Sequence, residues 1–340
     1  MKPSGRGIRC RRSRSLRTLR AAAPCDALTV RLVFAGTPAA ALPSLDALLD
    51  VPHDVVAVVT RPDAAAGRGR QVAQSPVKQR ALEAGIEVLT PAHPSDPGFL
   101  ERLRQLEPDC IPVVAYGALV PADALEIPDH GWVNLHFSLL PAWRGAAPVQ
   151  HAILGGDSHT GATTFLLDDG LDTGPLFGSL TTAIGDRETA GELLDRLALA
   201  GAALLAATVD GIESGGVAPE PQPNTGVSHA PKLTATDARV DWHAPALRVD
   251  RLVRACTPAP GPWTTFRGKR LGLGPVRPRS SPGGLTLAPG QLLDLGKDGI
   301  AVGTGGGYVE LGEVRPEGKA SMWCDAWARG VRLTADDRLE

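Results

Sequence analysis

In the first 212 residues, segments with the hydrophobic pattern of a strand alternate with segments that have the hydrophobic pattern of a helix. Short runs of apolar and β-branched residues are typical of buried strands, and they alternate with stretches in which leucines recur every three or four positions, as on one face of a helix. This pattern predicts strands at residues 29–35, 54–60, 87–89, 110–115, 132–136 and 160–167, and helices at residues 42–49, 99–106, 149–154 and 189–212. This order of elements indicates a doubly wound α/β domain with a mostly parallel sheet.

The pattern changes after residue 212. Residues 213–227 contain three prolines and three glycines, which is typical of a semi-rigid linker. Beyond it we predict a helix at residues 248–256, a hairpin turn at the glycine-rich run 303–307, and short strands at residues 263–266, 270–273, 290–295, 299–302 and 308–314. Short strands separated by glycines favour a small OB-like β-barrel. The sequence therefore predicts two folded domains, residues 30–212 and residues 228–340.

Composition and motifs exclude several classes of protein. Charged residues make up 21% of the chain, as in ordinary globular proteins, and no run of about 18 apolar residues could cross a membrane. The five cysteines are scattered without a C-x-x-C pair, so we expect a reducing compartment and no zinc site. The first strand ends in G-T-P in place of the dinucleotide-binding G-x-G-x-x-G, and the sequence contains no P-loop.

Charge is distributed unevenly along the chain, although its formal net value is only −2. Residues 1–30 hold 8 basic and 1 acidic residues, residues 31–227 hold 11 and 24, and residues 228–340 hold 16 and 12. A basic C-terminal part suits a domain that binds a polyanion. On charge alone, an ordinary solvated surface explains the same distribution equally well.

The first 29 residues are rich in arginine and lack the apolar core of a secretory signal, so we expect them to be disordered. Their composition fits a mitochondrial transit peptide, a translated tail that adds non-specific contacts to a polyanion, or upstream sequence attached by a misassigned start. The first predicted strand begins near Thr29, and a GUG start codon written as valine would fall at Val30. We therefore expect the working protein to start at Val30.

Residues 132–148 carry the most specific pattern of polar residues. In the strand that opens this segment, Asn134 and His136 alternate with Val133 and Leu135, so the amide and the imidazole share one face. At the carboxyl end of a strand in an open α/β sheet, both groups can aim hydrogen bonds at one ligand oxygen. For these two residues alone, a structural histidine on a polar strand face is the alternative. Downstream, glycines bracket Asp172, as in tight loops that approach a ligand.

These two segments together resemble the signature of the methionyl-tRNA formyltransferases. Residues 132–148 read WVNLHFSLLPAWRGAAP and residues 170–174 read GLDTG. Similar family segments occur at residues 62–69 (PDAAAGRG), 75–78 (SPVK) and 113–117 (VVAYG), and the resemblance runs from about residue 30 to the end. Members of the family transfer a formyl group from 10-formyltetrahydrofolate to the amino group of methionine on initiator tRNA. They also carry an OB-like C-terminal barrel that helps to bind the tRNA.

The resemblance implies roles for individual residues. It implies that Asn134, His136 and Asp172 are catalytic. It implies that the folate cosubstrate is bound by Val114, Ala115, Tyr116, Gly117, Ser138, Leu139, Leu140, Pro141, Asp169 and Gly170. It implies that a cationic loop enters the acceptor end of the tRNA, with Arg68, Arg70 and Lys78 as contacts. From composition alone, that loop is as well explained by a charged, solvated surface.

Formyl transfer to an amine passes through a tetrahedral intermediate with negative charge on oxygen, so the site needs hydrogen-bond donors and a route for the proton of the amine. Asn134 supplies an amide N–H, and a protonated His136 would supply a second donor. We expect Asp172 to raise the pKa of His136 and to accept the amine's proton through water. The amine is the nucleophile, so no nucleophilic side chain and no metal is needed. Phe137 replaces the glycine found in many family members and points away from the oxyanion by alternation.

Two alternative functions stay open. One is another 10-formyltetrahydrofolate-dependent formyltransferase, acting on glycinamide ribonucleotide or an amino sugar; the Arg-rich loop, the W-R-G-A-A-P run and the basic C-terminal part argue against it. The other is a catalytically inactive tRNA-binding protein, against which the complete set of Asn134, His136 and Asp172 argues. We expect a monomeric, cytoplasmic, bacterial enzyme, and a mitochondrial one only if the N-terminal segment is a transit peptide.

Overall fold

The computed structural model describes residues 29–66, 71–280, 286–296 and 299–340. The first domain alternates strands and helices, as the periodicity predicts. Its strands are β1 (Arg31–Gly36), β2 (Asp54–Val59), β3 (Ala64–Ala66), β4 (Gln71–Ala73), β5 (Glu87–Leu89), β6 (Ile111–Val114), β7 (Trp132–His136), β8 (His159–Leu166) and β9 (Leu176–Ala183). Its helices are α1 (Leu42–Leu49), α2 (Pro76–Glu83), α3 (Pro97–Leu106), α4 (Ala122–Leu125), α5 (Pro148–Gly155) and α6 (Ala190–Glu213).

Seven of these strands form one twisted sheet in the order β5-β2-β1-β6-β7-β8-β9. The first five in that order are parallel, whereas β8 and β9 run antiparallel to their neighbours. The predicted doubly wound, mostly parallel sheet is confirmed. The pattern missed β9, an edge strand whose residues are half-buried or exposed, because such a strand lacks a continuous apolar run.

The two faces of the sheet are covered by different helices, and this decides where the polar face of β7 lies. Val133 and Leu135 pack into a core with residues of α1, α5 and α6. Trp132, on the opposite face, packs with residues of α3 and α4. Asn134 and His136 share the face of Trp132 by alternation. Phe137 continues the alternation and is buried in the core of Val133 and Leu135, so it points away from that face, as expected.

Helix α6 fixes the sheet from behind the site. Thr189 and Glu192 form a capping box at its first turn, in which each side chain bonds the other residue's backbone N–H. The helix approaches β7 closely at Gly201, where an added Cβ would lie 2.8 Å from the Leu135 side chain. A larger residue at this position would push α6 away from the strand that carries Asn134 and His136.

The C-terminal domain, for which the sequence predicts a small OB-like β-barrel, consists of antiparallel sheets around a second core. One sheet has the order β10-β11-β16-β17 and the other the order β12-β15-β14-β13. The elements are α7 (Ala246–Ala255), β10 (Trp263–Phe266), β11 (Lys269–Leu273), β12 (Arg277–Arg279), β13 (Leu292–Asp294), β14 (Ile300–Gly303), β15 (Tyr308–Glu310), β16 (Glu313–Pro316), β17 (Met322–Trp323) and α8 (Cys324–Val331).

The prediction of a single strand at residues 308–314 is wrong, because the chain passes there from one sheet to the other. β15 pairs with β12 and β14, whereas β16 pairs with β11 and β17. The bend contains Gly312, where a Cβ would lie only 2.6 Å from the carbonyl oxygen of Pro275. The glycine-rich run 303–307 connects β14 and β15, as predicted.

The segment between the two domains packs against the first domain. Glu220 and Leu176 exchange two backbone hydrogen bonds of 2.8 and 2.7 Å. Ser228 and Ala230 bond the loop that follows β7, as described below. Within the described residues, no helix is both long enough and apolar enough to span a bilayer.

Candidate active site

The loop at residues 137–147 folds over the polar face of β7 and is held by side-chain hydrogen bonds. Ser138, which is fully buried, donates its hydroxyl hydrogen to the carbonyl oxygen of Ala142 at 2.6 Å. Thr163 of β8 donates to the carbonyl oxygen of Ser138 at 2.7 Å and accepts from the N–H of Leu140 at 3.3 Å. Thr163 is paired with His136 in the sheet, so β8 fixes the start of the loop next to the histidine.

Trp143 turns the loop back towards the sheet. Its backbone has a positive φ of 61°, and its indole N–H donates to Asp157 at 2.7 Å while the ring packs against His151 of α5. The N–H of Trp143 donates to the Ser228 hydroxyl at 2.9 Å. This anchoring orients the carbonyl group of Trp143 towards His136.

Gly145 is required by the close approach of the interdomain segment. Its φ is 121°, which favours glycine, and a Cβ would lie 2.8 Å from the carbonyl oxygen of Ala230. Ala230 bonds the loop on both sides of this glycine, with its N–H donating to Arg144 and its carbonyl accepting from Ala147. Residues 143–147 therefore lie directly against residues 228–230.

Asp172 lies in a second tight loop, residues 168–174, that follows β8. Asp168 organises its start, because its carboxylate accepts from the N–H of Gly170 at 3.1 Å and from the Thr173 hydroxyl at 2.8 Å. The loop ends at Gly174, where a Cβ would lie 1.8 Å from the carbonyl oxygen of Leu166. Asp172 itself has a φ of 52°, a left-handed conformation that costs a non-glycine residue about 1–2 kcal/mol.

The structure brings Asn134, His136 and Asp172 together on one face of the sheet. The Nε2 atom of His136 lies 2.9 Å from the carbonyl oxygen of Trp143, and its Nδ1 atom lies 3.8 Å from Oδ2 of Asp172. The same Oδ2 accepts a 2.7 Å hydrogen bond from the N–H of Gly145. His136 is 6% exposed and packs edge-on against Phe165. Asn134 is half-buried, and its amide has no hydrogen-bond partner within the described part of the chain.

Burial lowers the pKa of His136 below its ordinary value, and the Asp172 carboxylate and the Trp143 carbonyl oppose that shift without reversing it. Asp172 therefore raises the pKa of His136, as expected, but burial has the larger and opposite effect. Because a carbonyl oxygen can only accept, Nε2 carries a hydrogen, and in the neutral form of the ring Nδ1 is the bare nitrogen. Nδ1 and Asp172 then face each other as two acceptors.

The first group of residues assigned to folate lies at the carboxyl end of β6, next to β7. Val114 and Tyr116 are buried, whereas Ala115 and Gly117 are exposed and have positive φ values of 48° and 83°. Burial raises the pKa of Tyr116, and the nearby guanidinium of Arg61 opposes that shift. The strand end therefore presents backbone groups, not side chains, to the site.

The remaining folate assignments fall in the two loops. Asp169 and Gly170 are exposed in the loop of Asp172. Ser138 and Pro141 are buried, and the hydroxyl of Ser138 is already used within its own loop. Leu139 and Leu140 line a groove of about 500 Å³ between β9 and residues 216–223, and none of the other assigned residues lines it.

The tRNA assignments are only partly described. Arg68 and Arg70 lie outside the described residues. Lys78 belongs to α2, whose N-terminus Ser75 caps, and its ammonium group lies 2.7 Å from Oδ2 of Asp63. The Lys78 side chain is 19% exposed, so a phosphate would have to compete with Asp63 for it.

Sequence reasoning missed two contributors to the site. The carbonyl group of Trp143 bonds His136, and a backbone acceptor leaves no trace in the sequence. Gln222, in the interdomain segment, donates to the carbonyl oxygens of Asp172 and Gly174 at 2.8 Å each. It lies 50 residues from Asp172, in a segment interpreted as a linker. The described residues contain no group of three or more His, Cys, Asp or Glu side chains placed to hold a metal ion.

Comparison with known proteins gives the family of this chain. The family model "Formyl transferase" matches residues 30–209, and the model "Formyl transferase, C-terminal domain" matches residues 232–332. The chain is similar to the methionyl-tRNA formyltransferase of Thermobifida fusca, with 63% identity over 91% of this chain and 99% of the relative. The chain belongs to the methionyl-tRNA formyltransferase family. The enzyme of that name from Streptomyces coelicolor is 61% identical over the same shares of both chains.

A solved structure shares this fold. The N-formyltransferase from Helicobacter canadensis, in complex with folinic acid and dTDP-3-aminofucose, superposes with a TM-score of 0.63 over 83% of this chain and 98% of that one. Its sequence identity of 17% limits this likeness to the fold.

Proposed function

We propose that this protein transfers the formyl group of 10-formyltetrahydrofolate to the amino group of methionyl initiator tRNA. The convergence of Asn134, His136 and Asp172 in a chain of this family is the observation that carries the proposal. The identity of 63% with a methionyl-tRNA formyltransferase favours the tRNA acceptor over a small amine.

Asn134 is the group suited to stabilise the oxyanion. Its amide is free of protein partners within the described residues and is half-buried, so water would weaken its hydrogen bond to a developing negative charge less than at an exposed position. A donor already used by the protein would first have to lose that bond. The Asn134 N–H is therefore available at no such cost.

His136 and Asp172 are suited to take the proton of the attacking amine. In the neutral ring Nδ1 is an acceptor, and it lies 3.8 Å from the acceptor Oδ2 of Asp172. Two facing acceptors at this distance provide a site for an N–H donor, which the amine of the substrate supplies. When Nδ1 takes the proton, the ring becomes a cation paired with Asp172. The positive charge then arises at the same stage as the negative charge on the oxygen. Collapse of the tetrahedral intermediate re-forms the C=O bond and breaks the bond between the formyl carbon and N10 of the folate, and N10 leaves with the proton that His136 held.

The residues at the end of β6 fit the folate cosubstrate. A pterin ring is flat and has a polar edge of donors and acceptors, which exposed backbone groups can match. Ala115 and Gly117 expose backbone of this kind next to the strand of His136, and buried Val114 and Tyr116 fix it. Asp169 and Gly170 are exposed on the loop of Asp172, so they can close on the same ligand.

The C-terminal domain offers a surface suited to RNA. The guanidinium groups of Arg239 and Arg270 lie 5.6 and 4.4 Å from the ring centroid of Trp263. Both arginines are exposed and form no ion pair with any described residue. Unpaired arginines beside an aromatic ring can contact phosphate and stack on a base.

Because initiator tRNA is a cytoplasmic substrate in bacteria, we place the reaction in the cytoplasm.

A transfer assay with a labelled formyl donor tests the proposal. The purified protein is given 10-formyltetrahydrofolate with methionyl initiator tRNA, glycinamide ribonucleotide or a dTDP-amino sugar in separate reactions. We expect formylation of the tRNA only, inhibited steeply by salt. Formylation of either small acceptor at a higher kcat/KM, or of none of the three, would overturn the proposed function.

A further inference from the structure

Gln222 joins the two loops that hold His136 and Asp172. Its Nε2 group donates to the carbonyl oxygens of Asp172 and Gly174, and its Oε1 atom accepts from Nε and Nη2 of Arg144 at 3.2 and 2.6 Å. Both amide hydrogens and both oxygen lone pairs are thus used. Rotating the amide by half a turn would oppose its oxygen to two carbonyl oxygens and its NH₂ group to a guanidinium, so only one orientation is stable.

The position of Gln222 is fixed by the chain around it. Pro221 and Pro223 flank it and restrict the backbone on both sides. Two residues upstream, Glu220 is tied to Leu176 of β9 by a pair of backbone hydrogen bonds. The side chain therefore reaches the site from a rigid support.

Three consecutive residues of the loop after β7 each form a hydrogen bond with a different residue of the site. Trp143 bonds His136 through its carbonyl group, Arg144 bonds Gln222 through its guanidinium, and Gly145 bonds Asp172 through its N–H. The Asp172 carboxylate is thus held from one side by Gly145, and its backbone from the other by Gln222. Since Asp172 has a strained φ of 52°, its conformation depends on such outside contacts.

We infer that Gln222 is a positioning residue for the reaction, acting through Asp172. It sets the distance between the Asp172 carboxylate and Nδ1 of His136, and it does so from the segment that connects the two domains. This inference rests on the proposed function. Gln222 touches neither substrate in the proposed arrangement, so its effect belongs to kcat and not to the KM of the folate cosubstrate.

The test compares Gln222→Glu with Asn224→Ala. The introduced carboxylate keeps the shape of the side chain and the bond to Arg144 but opposes an oxygen to the carbonyls of Asp172 and Gly174. Asn224 is exposed, lies in the same segment and has no side-chain hydrogen bond within the described residues. Because misplacing a reacting group by about 1 Å can cost a hundredfold in rate, we expect kcat of Gln222→Glu to fall about tenfold to a hundredfold. The folate KM should stay near that of the wild type, and a cooperative melting transition would show that the variant is folded.

A double variant that carries Gln222→Glu and Asp172→Ala distinguishes an effect of Gln222 on the position of Asp172 from a general effect on the fold. If Gln222 acts through Asp172, Gln222→Glu should lower the single-turnover rate less than about twofold in the Asp172→Ala background. A full tenfold loss in that background, a wild-type kcat for Gln222→Glu, or an equal loss for Asn224→Ala would each overturn the inference. A wild type that fails to formylate methionyl initiator tRNA would instead overturn the proposed function.

Discussion

The Nδ1 atom of His136 and the Oδ2 atom of Asp172 lie 3.8 Å apart, too far for a direct hydrogen bond. Both atoms are nevertheless fixed, His136 by the Trp143 carbonyl and Asp172 by the N–H of Gly145. The gap between them is therefore a property of the fold and not of loose side chains. In our proposal it is the position at which the acceptor amine gives up its proton.

Substitution of the three converging residues tests that proposal. We expect Asn134→Ala, His136→Ala and Asp172→Ala each to lower kcat by about 10²–10³-fold, the usual cost of losing one group that stabilises developing charge. The three proteins should melt within a few degrees of the wild type. Steady-state formylation of methionyl initiator tRNA measures kcat, and a His136→Ala enzyme with wild-type turnover would refute the assignment.

The protonation of His136 can be measured directly by ring NMR. Since burial lowers its pKa, the imidazole should titrate below about 6.5, the value of an unperturbed histidine. Asp172 raises this pKa, so Asp172→Asn should move the midpoint to still lower pH. A His136→Gln spectrum identifies the resonance. A midpoint above about 6.5 in the wild type would contradict the neutral ring on which the proton route depends.

The lowered pKa of His136 also makes the stability of the fold depend on pH. The unfolded chain binds a proton at His136 at a higher pH than the folded chain does, so this residue destabilises the fold as the pH falls below about 6.5. The penalty grows until the pH reaches the lowered pKa of the folded protein. The His136→Gln variant should therefore lose less stability than the wild type between pH 7 and pH 5, as urea unfolding at the two pH values can determine.

Gly145→Ala tests the close approach of the interdomain segment. A methyl group at this position would lie 2.8 Å from the Ala230 carbonyl oxygen and would also strain the φ of 121°. We expect a displaced loop and at least about a tenfold loss of kcat, because the N–H of Gly145 bonds Asp172. Gly98→Ala is the control, since nothing lies within 4 Å of its Cβ position. Equal activity of the two variants would show that the contact is unimportant.

Two ion pairs with the same helical spacing should differ in their contribution to stability. Arg254 and Asp250 are 9% and 5% exposed, whereas Arg329 and Asp325 are 73% and 49% exposed. Arg254→Ala leaves a buried carboxylate unpaired and should lower the free energy of unfolding by about 3–5 kcal/mol. Arg329→Ala should leave the free energy of unfolding nearly unchanged, because water screens an exposed pair. Urea unfolding compares them, and similar losses would contradict the burial argument.

The cationic loop is tested through its salt dependence. If Arg68 contacts tRNA phosphate, Arg68→Ala should raise the KM for methionyl initiator tRNA and leave folate binding unchanged. The slope of log(kcat/KM) against log[salt] should be shallower for Arg68→Ala than for the wild type, since fewer counterions are released. Equal slopes would indicate a loop that is only solvated.

Fold and site were predictable to different depths. The apolar runs and the helical spacing of leucines located the parallel strands, because strands of a covered sheet are rich in buried apolar residues. They failed for β9, whose residues are at most half-buried, and for residues 308–314, where a bend at Gly312 divides a segment that reads as one strand. Hydrophobic periodicity indicates which residues are buried, but it does not indicate with which sheet a strand pairs.

Within the site, side chains were predictable and their surroundings were not. Asn134 and His136 were assigned to one face from spacing alone. The lowered pKa of His136 follows from burial under residues 137–147, and the carbonyl of Trp143 and the amide of Gln222 reach the site through loop geometry. Backbone groups and partners 50 residues distant have no local sequence pattern that could identify them.

Ser228 and Ala230 pack against residues 143–147. Because of this contact, the part of the chain that the active site needs is longer than the part that forms the first domain. A cut at residue 212, where the helical pattern of the first domain ends, would keep the central sheet and its cores. It would also remove Gln222 and leave backbone groups of the loop after β7 without partners. The smallest fragment that keeps the described surroundings of His136 therefore extends past Ala230, and exchange of C-terminal domains between relatives should respect that later junction.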